Sequence, residues 1–277
     1  MRWQGREGSS NVEDRRGQGG RGLLPKGKGF GILGIVIVLV GAYYGVDLSG
    51  LVGGTGGAPT SQLSSEQESQ VNELSRVVLK ETEDVWSAYF QEHGAQYKAP
   101  TMVLYTGTTS TACGRGQSVM GPFYCPMDQK VYLDLSFYED MKRQLGSGGD
   151  AAFAYVIAHE IGHHVQNLLG ILPKVHEQQQ QSGQLQSNAL SVKLELQADC
   201  FAGVWANKAN QRGLFEQGDA EQAFNAAESV GDDRIQKQAQ GYVVPDSFTH
   251  GTSAQRLHWF QQGLKTGDVE QCNTLAN

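Results

Sequence analysis

The pattern of apolar and polar positions changes character several times along the chain. Residues 29–46 (GFGILGIVIVLVGAYYGV) carry no charge, and a run of about 18 such residues is just long enough to cross a bilayer as a helix. The Gly-rich stretches on either side, 1–28 and 47–63, show no apolar period, which predicts a disordered tail and a flexible linker. From there the spacing becomes helical. Val71, Leu74, Val77, Val78, Val85, Trp86 and Tyr89 recur at intervals of three and four, Ser65 and Glu68 offer a capping box, and a long amphipathic helix is expected to about residue 92.

Residues 101–106 (TMVLYT) and 130–135 (KVYLDL) read as strands. PFYC at 122–125 reads as a short edge strand, since Pro122 and Pro126 suit an edge and not a sheet centre. Helical spacing returns at about 136–145, 150–168, 185–210, 219–239 and 252–265, with the Gln-rich piece 176–188 as an exposed connection or helical extension. The expected class is α+β and mainly helical: one folded domain over 64–277 with a small sheet near its start, preceded by one transmembrane helix.

Charge orients that arrangement. The chain has a net charge of −7, yet its first 28 residues hold seven Lys/Arg against three acids, so the remainder is strongly acidic. An acidic domain argues against nucleic acid as a partner. By the positive-inside rule the basic tail stays cytoplasmic, and residues beyond the span lie outside the cytoplasmic membrane, in a periplasm where there is one. A cleaved signal peptide is the rival reading, disfavoured by the long basic region and the lack of an A-x-A site. Four cysteines fit an oxidising compartment. Cys113 and Cys125 bracket a hairpin-sized Gly-rich loop and Cys200 and Cys272 form a possible second pair, but three pairings stay open.

Chemistry concentrates in AHEIGHHVQN, residues 158–167. At 100° per residue His159 and His163 point within about 40° of each other and can share one ion, whereas His164 lies about 140° from His159 and reads as a packed or hydrogen-bonding histidine. Glu160, next to the first ligand, can reach a water on the metal. This is H-E-x-x-H, in which the histidines bind zinc and the glutamate is general base. Gly162 would permit close approach of another element. Downstream, LELQADCFAGVW (194–205) places Glu195 and Asp199 four apart on an otherwise apolar helix. Such carboxylates are costly unless partnered. Glu195 is therefore the expected third ligand and Asp199 the acceptor for the far nitrogen of a ligand histidine; two solvent-facing acids are the alternative.

HEIGHH followed by ELQAD resembles the gluzincin metallopeptidases, the group of the CAAX prenyl endopeptidases and HtpX-like proteases. More closely, the chain resembles the putative neutral zinc metallopeptidase family, the YpfJ-like group. That likeness runs through GPFYCPMDQKVYLD, HEIGHHVQN, LELQADCFAGVW, GDDRIQ and PDSFTHGTSAQR to the C-terminal cysteine. It implies a zincin-like domain with one zinc per chain, acting on peptide or protein substrates. Because gluzincins commonly bring a downstream His or Tyr to the oxyanion, His250 is the first candidate there and Tyr242 the second. A helix-capping or loop-packing histidine, with Thr252 or Ser253 as the cap, is the alternative for His250, and GDDR (231–234) reads as a structural ion-pair or capping motif. Substrate is expected as an added strand along the PFYC edge. The expected function is a membrane-anchored zinc peptidase with Glu160 as general base. A catalytically quiet zinc-containing binding domain and a hydrolase of non-peptide amides are the alternatives.

Overall fold

The computed structural model describes residues 1–17 and 63–276. The expected membrane helix at 29–46 lies outside the described residues, as does the linker apart from Leu63. Among the described residues no helix is long and apolar enough to cross a membrane.

A four-stranded mixed sheet and eight helices make up the described fold. The strands are β1 (Val12–Asp14), β2 (Thr101–Leu104), β5 (Phe123–Cys125) and β6 (Lys130–Leu133), in the order β1-β2-β6-β5, and β3 (Thr108–Thr111) and β4 (Gly114–Gln117) form a separate hairpin. β1, β2 and β6 are parallel, and β5 runs antiparallel to β6. Met102, Leu104, Val131 and Leu133 face the main core, while Val103, Tyr105, Phe123 and Tyr132 build a smaller one on the other face. Burial on both faces explains why TMVL and KVYL show continuous apolar character and no alternation. The Cys113–Cys125 disulfide ties the turn of the β3–β4 hairpin to β5.

The helices are α1 (Ser65–Glu92), α2 (Phe137–Leu145), α3 (Asp150–Leu168), α4 (Ile171–Gln180), α5 (Gln184–Gln211), α6 (Asp219–Ser229), α7 (Asp232–Gln240) and α8 (Ser253–Thr266). The cap of α1 falls one residue earlier than expected, in a capping box between Ser64 and Gln67. The Gln-rich piece is mostly helix, divided between α4 and the start of α5. The expected single helix over 219–239 is two, broken at Gly231, where a Cβ would overlap the backbone of Ser253.

α3 is the central helix, buried on nearly every side, as an element apolar all round must be. Two close approaches seat its neighbours. A Cβ on Gly162 would lie 3.0 Å from the Ala198 carbonyl oxygen, so α5 crosses α3 almost at backbone contact, as the glycine in HEIGHH implies. Gly203 and Gly263 face each other across α5 and α8, and a Cβ on either would overlap the carbonyl of Phe260 or of Cys200.

The N-terminal expectation is corrected. Residues 1–17 are an ordered part of the domain. β1 pairs with β2, Trp3 is buried in the main core, its Nε1 donates to Asp150 Oδ2 at 2.7 Å, and Arg6 reaches Glu81 at 2.7 Å. The low apolar content of this segment hid the contact, because one tryptophan and a three-residue strand leave no period to read. Trp3→Ala is expected to destabilise the full chain by about 3–5 kcal/mol, the usual cost of truncating a buried tryptophan, read as a lower midpoint in urea. An unchanged midpoint would show that residues 1–17 do not fold with the domain.

Candidate metal centre

α3 and α5 supply the site. His159 and His163 sit one turn apart on α3, and Glu195 faces them from α5. One ligand atom from each of the three lies within 4.8 Å of the others, and all three residues are buried. Glu195 Oε2 is 3.1 Å from His159 Nε2, and its Oε1 is 3.3 Å from His163 Nε2.

The opposite edges of the two rings are occupied. His159 Nδ1 donates to Asp199 Oδ1 at 2.8 Å, and His163 Nδ1 donates to Gln166 Oε1 at 2.9 Å. Both Nε2 atoms are thereby left to converge on Glu195. Tetrahedral zinc, with bonds of about 2.0–2.1 Å to nitrogen and oxygen, sets its ligand atoms roughly 3.3–3.5 Å apart. The nitrogen and oxygen atoms here already stand near that spacing, so this donor set fits zinc.

Asp199 is fully buried and saturated. Tyr155 donates to its Oδ1 at 2.5 Å, and Arg256 of α8 donates through Nε to Oδ2 at 2.8 Å and through Nη2 to Oδ1 at 3.0 Å. Burial alone would raise the Asp199 pKa, but the Arg256 charge and the histidine hold it below the ordinary carboxylate value. Glu195 is likewise held well down against burial by the two histidines. Burial lowers the pKa of His159, yet the charges and hydrogen bonds of Asp199 and Glu195 outweigh it and carry the value up to about 10. Glu160 is half-buried on the same helix, and burial raises its pKa while the two histidines oppose the rise.

His250 is the expected oxyanion donor. Its Nδ1 contacts Asp232 Oδ1 at 3.1 Å, and Asp232 Oδ2 accepts the backbone N–H groups of Thr249, His250 and Gly251. A Cβ on Gly251 would lie 3.2 Å from the side chains of Leu196 and Val192, on the turn of α5 that carries Glu195, which seats this loop over that turn. Thr252 caps α8, one of the two caps expected there. The GDDR motif is structural in the expected sense, with Asp233 accepting from Ser253, but its Asp232 also orients His250. Tyr242 is 62 % exposed.

His164 is packed, as its angle implies: Nδ1 meets the Tyr124 hydroxyl at 3.0 Å, Nε2 meets the Lys98 carbonyl at 2.7 Å, and burial holds its pKa down to about 4. This joins α3 to β5. β5 does occupy a sheet edge, but its residues are only 6, 8 and 0 % exposed, so little of that edge is open to a docking strand. Cys200–Cys272 is the second disulfide. Arg256, Tyr155 and Gln166 escaped the sequence reading. Tyr155 and Gln166 stand four residues before His159 and three after His163, on the ligand face of α3, a signal that could have found them; Arg256 had none.

The His159 proton must leave before its Nε2 can ligate a metal, so affinity is linked to pH. With a pKa of about 10 the imidazolium persists through neutrality. Apparent zinc affinity is therefore expected to climb with pH from about 6 to about 9, by up to about tenfold per unit, in competition titrations against a chelator. A flat profile would contradict the Asp199 and Glu195 contacts.

A family model described as "Putative neutral zinc metallopeptidase" matches residues 1–275. The uncharacterized protein YpfJ of Escherichia coli is 56% identical over 288 residues, spanning 100% of this chain and 99% of its own length. An uncharacterized protein of Mycobacterium tuberculosis is 44% identical over 191 residues, 65% of this chain and 64% of its own. No solved structure matches the chain. With a family model covering it almost end to end and its ligand set gathered at one point, the chain belongs to the putative neutral zinc metallopeptidase family.

Proposed function

We propose that this protein is a zinc-dependent peptidase that hydrolyses peptide bonds with Glu160 as general base. The observation that carries the reading is the convergence of His159 Nε2, His163 Nε2 and the Glu195 carboxylate, with both Nδ1 atoms tied elsewhere. These three residues would hold zinc, and three protein ligands are the number that suits a catalytic zinc. Zinc held there supplies Lewis acidity toward the scissile carbonyl and lowers the pKa of a bound water.

The protein's own groups handle the proton and the charge. Glu160, adjacent in sequence to the first ligand, takes the proton of the attacking water and delivers it to the leaving amine. Its pKa, raised by burial, makes the Glu160 carboxylate a stronger base for the first half of that task. His250 presents its Nε2 edge to the developing oxyanion while Asp232 holds the other nitrogen. Burial lowers the His250 pKa, but Asp232 and Glu195 together raise it, which favours the donor form.

The apolar run at 29–46 supports attachment to a membrane. The pairing of β1 with β2 bears on orientation, because a single crossing would part residues 1–17 from residues 63–276. It favours both flanks on one face of the bilayer, and the two disulfides favour the oxidising face. An epitope within residues 1–17 and one at the C-terminus should then be degraded together by protease added to intact spheroplasts. Survival of the N-terminal epitope alone would restore the crossing with the tail inside.

Glu160→Gln is expected to keep zinc and lose about 10²–10⁴-fold in kcat on a quenched peptide library. Undiminished cellular function of that variant would instead favour a binding domain. His250→Ala should lower kcat by about 10²–10³-fold with KM little changed, as for loss of an oxyanion donor; an effect confined to KM would assign His250 to substrate binding.

A further inference from the structure

The two ligand histidines are braced differently. His159 leans on a buried carboxylate, whereas His163 leans on a chain of neutral amides that ends at the C-terminus of the protein. His163 Nδ1 donates to Gln166 Oε1 at 2.9 Å. Gln166 Nε2 donates to the Leu194 carbonyl at 2.9 Å and to Gln197 Oε1 at 3.0 Å. Gln197 Nε2 donates to the Cys272 carbonyl at 3.0 Å. Gln166 and Gln197 are both buried, so no solvent stands in for a lost partner.

The direction of this chain is fixed from its far end. A backbone carbonyl only accepts. Gln197 must therefore turn its amide nitrogen to Cys272 and its oxygen to Gln166. Gln166 must in turn donate to Gln197 and to Leu194, which uses both of its N–H groups and leaves its oxygen for His163. The imidazole then has to carry a proton on Nδ1, and Nε2 is left bare toward Glu195. A neutral histidine with the opposite tautomer would set a lone pair against the Gln166 oxygen. Cys272 is fully buried and bonded to Cys200, the residue after Asp199 on α5, and Thr274 anchors the same segment by donating to the Lys193 carbonyl at 2.5 Å.

Resting on the metal-centre reading above, we propose that the disulfide-held C-terminal segment around Cys272 is a positioning element of the metal site. It sets the tautomer and orientation of His163 through Gln197 and Gln166, so that zinc affinity depends on the Cys200–Cys272 bond. Reduction by a dithiol passes two electrons and two protons to the bridge, giving two thiols and an oxidised, cyclised reductant. The Cys272 carbonyl then loses its covalent tether, and the relay loses the fixed acceptor at its end.

The test is zinc dissociation from the full-length chain, followed by chelator competition, with a thermal melt of each protein alongside. Gln166→Leu is expected to weaken zinc about 10–100-fold, the usual effect of removing such a partner. Gln166→Glu keeps the acceptor for His163 Nδ1 but sets an oxygen against the Leu194 carbonyl and Gln197 Oε1, so it should weaken zinc as well, and wild-type affinity in that variant would overturn the relay to Cys272. Gln197→Ala and the Cys200→Ser, Cys272→Ser double variant should each weaken zinc by about tenfold, whereas the Cys113→Ser, Cys125→Ser control should not. If the Cys200/Cys272 variant fails to fold, Gln197→Ala decides. Wild-type affinity in a folded Gln197→Ala protein overturns the proposal while leaving the metal centre standing. A wild-type chain that takes up no zinc overturns both.

Discussion

The buried ion pair between Asp199 and Arg256 joins the three helices on which the site depends. Asp199 lies on α5, Arg256 on α8, and the other partners of the carboxylate, Tyr155 and His159, on α3. A buried pair of this kind adds little net stability over a hydrophobic substitute, but loss of either partner strands a charge at a cost of about 3–5 kcal/mol. Its value lies in specificity. Only one arrangement of α3, α5 and α8 satisfies all four groups at once, and that arrangement carries His159 to Glu195.

Close backbone packing makes the pair possible. At Gly162 and across Gly203 and Gly263 the helices approach without side chains between them, and a wider spacing would leave Arg256 short of the carboxylate. The Cys200–Cys272 disulfide begins one residue beyond Asp199 and fixes the C-terminal segment against the same helix. Packing, ion pair and disulfide therefore constrain one short stretch of α5, residues 194–203, from three sides. Rigidity is concentrated where ligand geometry has the least tolerance.

Much of this was legible in the sequence, for identifiable reasons. H-E-x-x-H is local and its angular logic is exact enough to separate His163 from His164, and two acids on an apolar turn had to have partners. α3 matched its expected span of 150–168, because its apolar run is long and unbroken. What sequence hid was non-local. Nothing marks Arg256 as buried until α8 is laid across α5, and Gln166 looks like any helical glutamine until Gln197 and Cys272 stand behind it. GDDR read as structural, and three backbone N–H groups do bind Asp232; its second role, on the His250 ring, shows only in the fold. β1 was missed because its partner lies about ninety residues on, and three residues carry no period.

The N-terminal segment has the same logic as the rest. Asp150 opens α3, and its two carboxylate oxygens accept from Trp3 Nε1 and from the Tyr138 hydroxyl, each at 2.7 Å. An anion at this end of a helix is favoured by the dipole, and here it is also clamped on both oxygens. The helix that bears both histidines is thus fixed at its start by a residue that precedes the apolar run. A chain begun after that run keeps H-E-x-x-H, Glu195 and Asp199 yet loses β1, the Trp3 contact with Asp150 and the Arg6 contact with Glu81. The domain is accordingly discontinuous in sequence: its two parts meet in the sheet and at the first turn of α3, whatever the residues between them do.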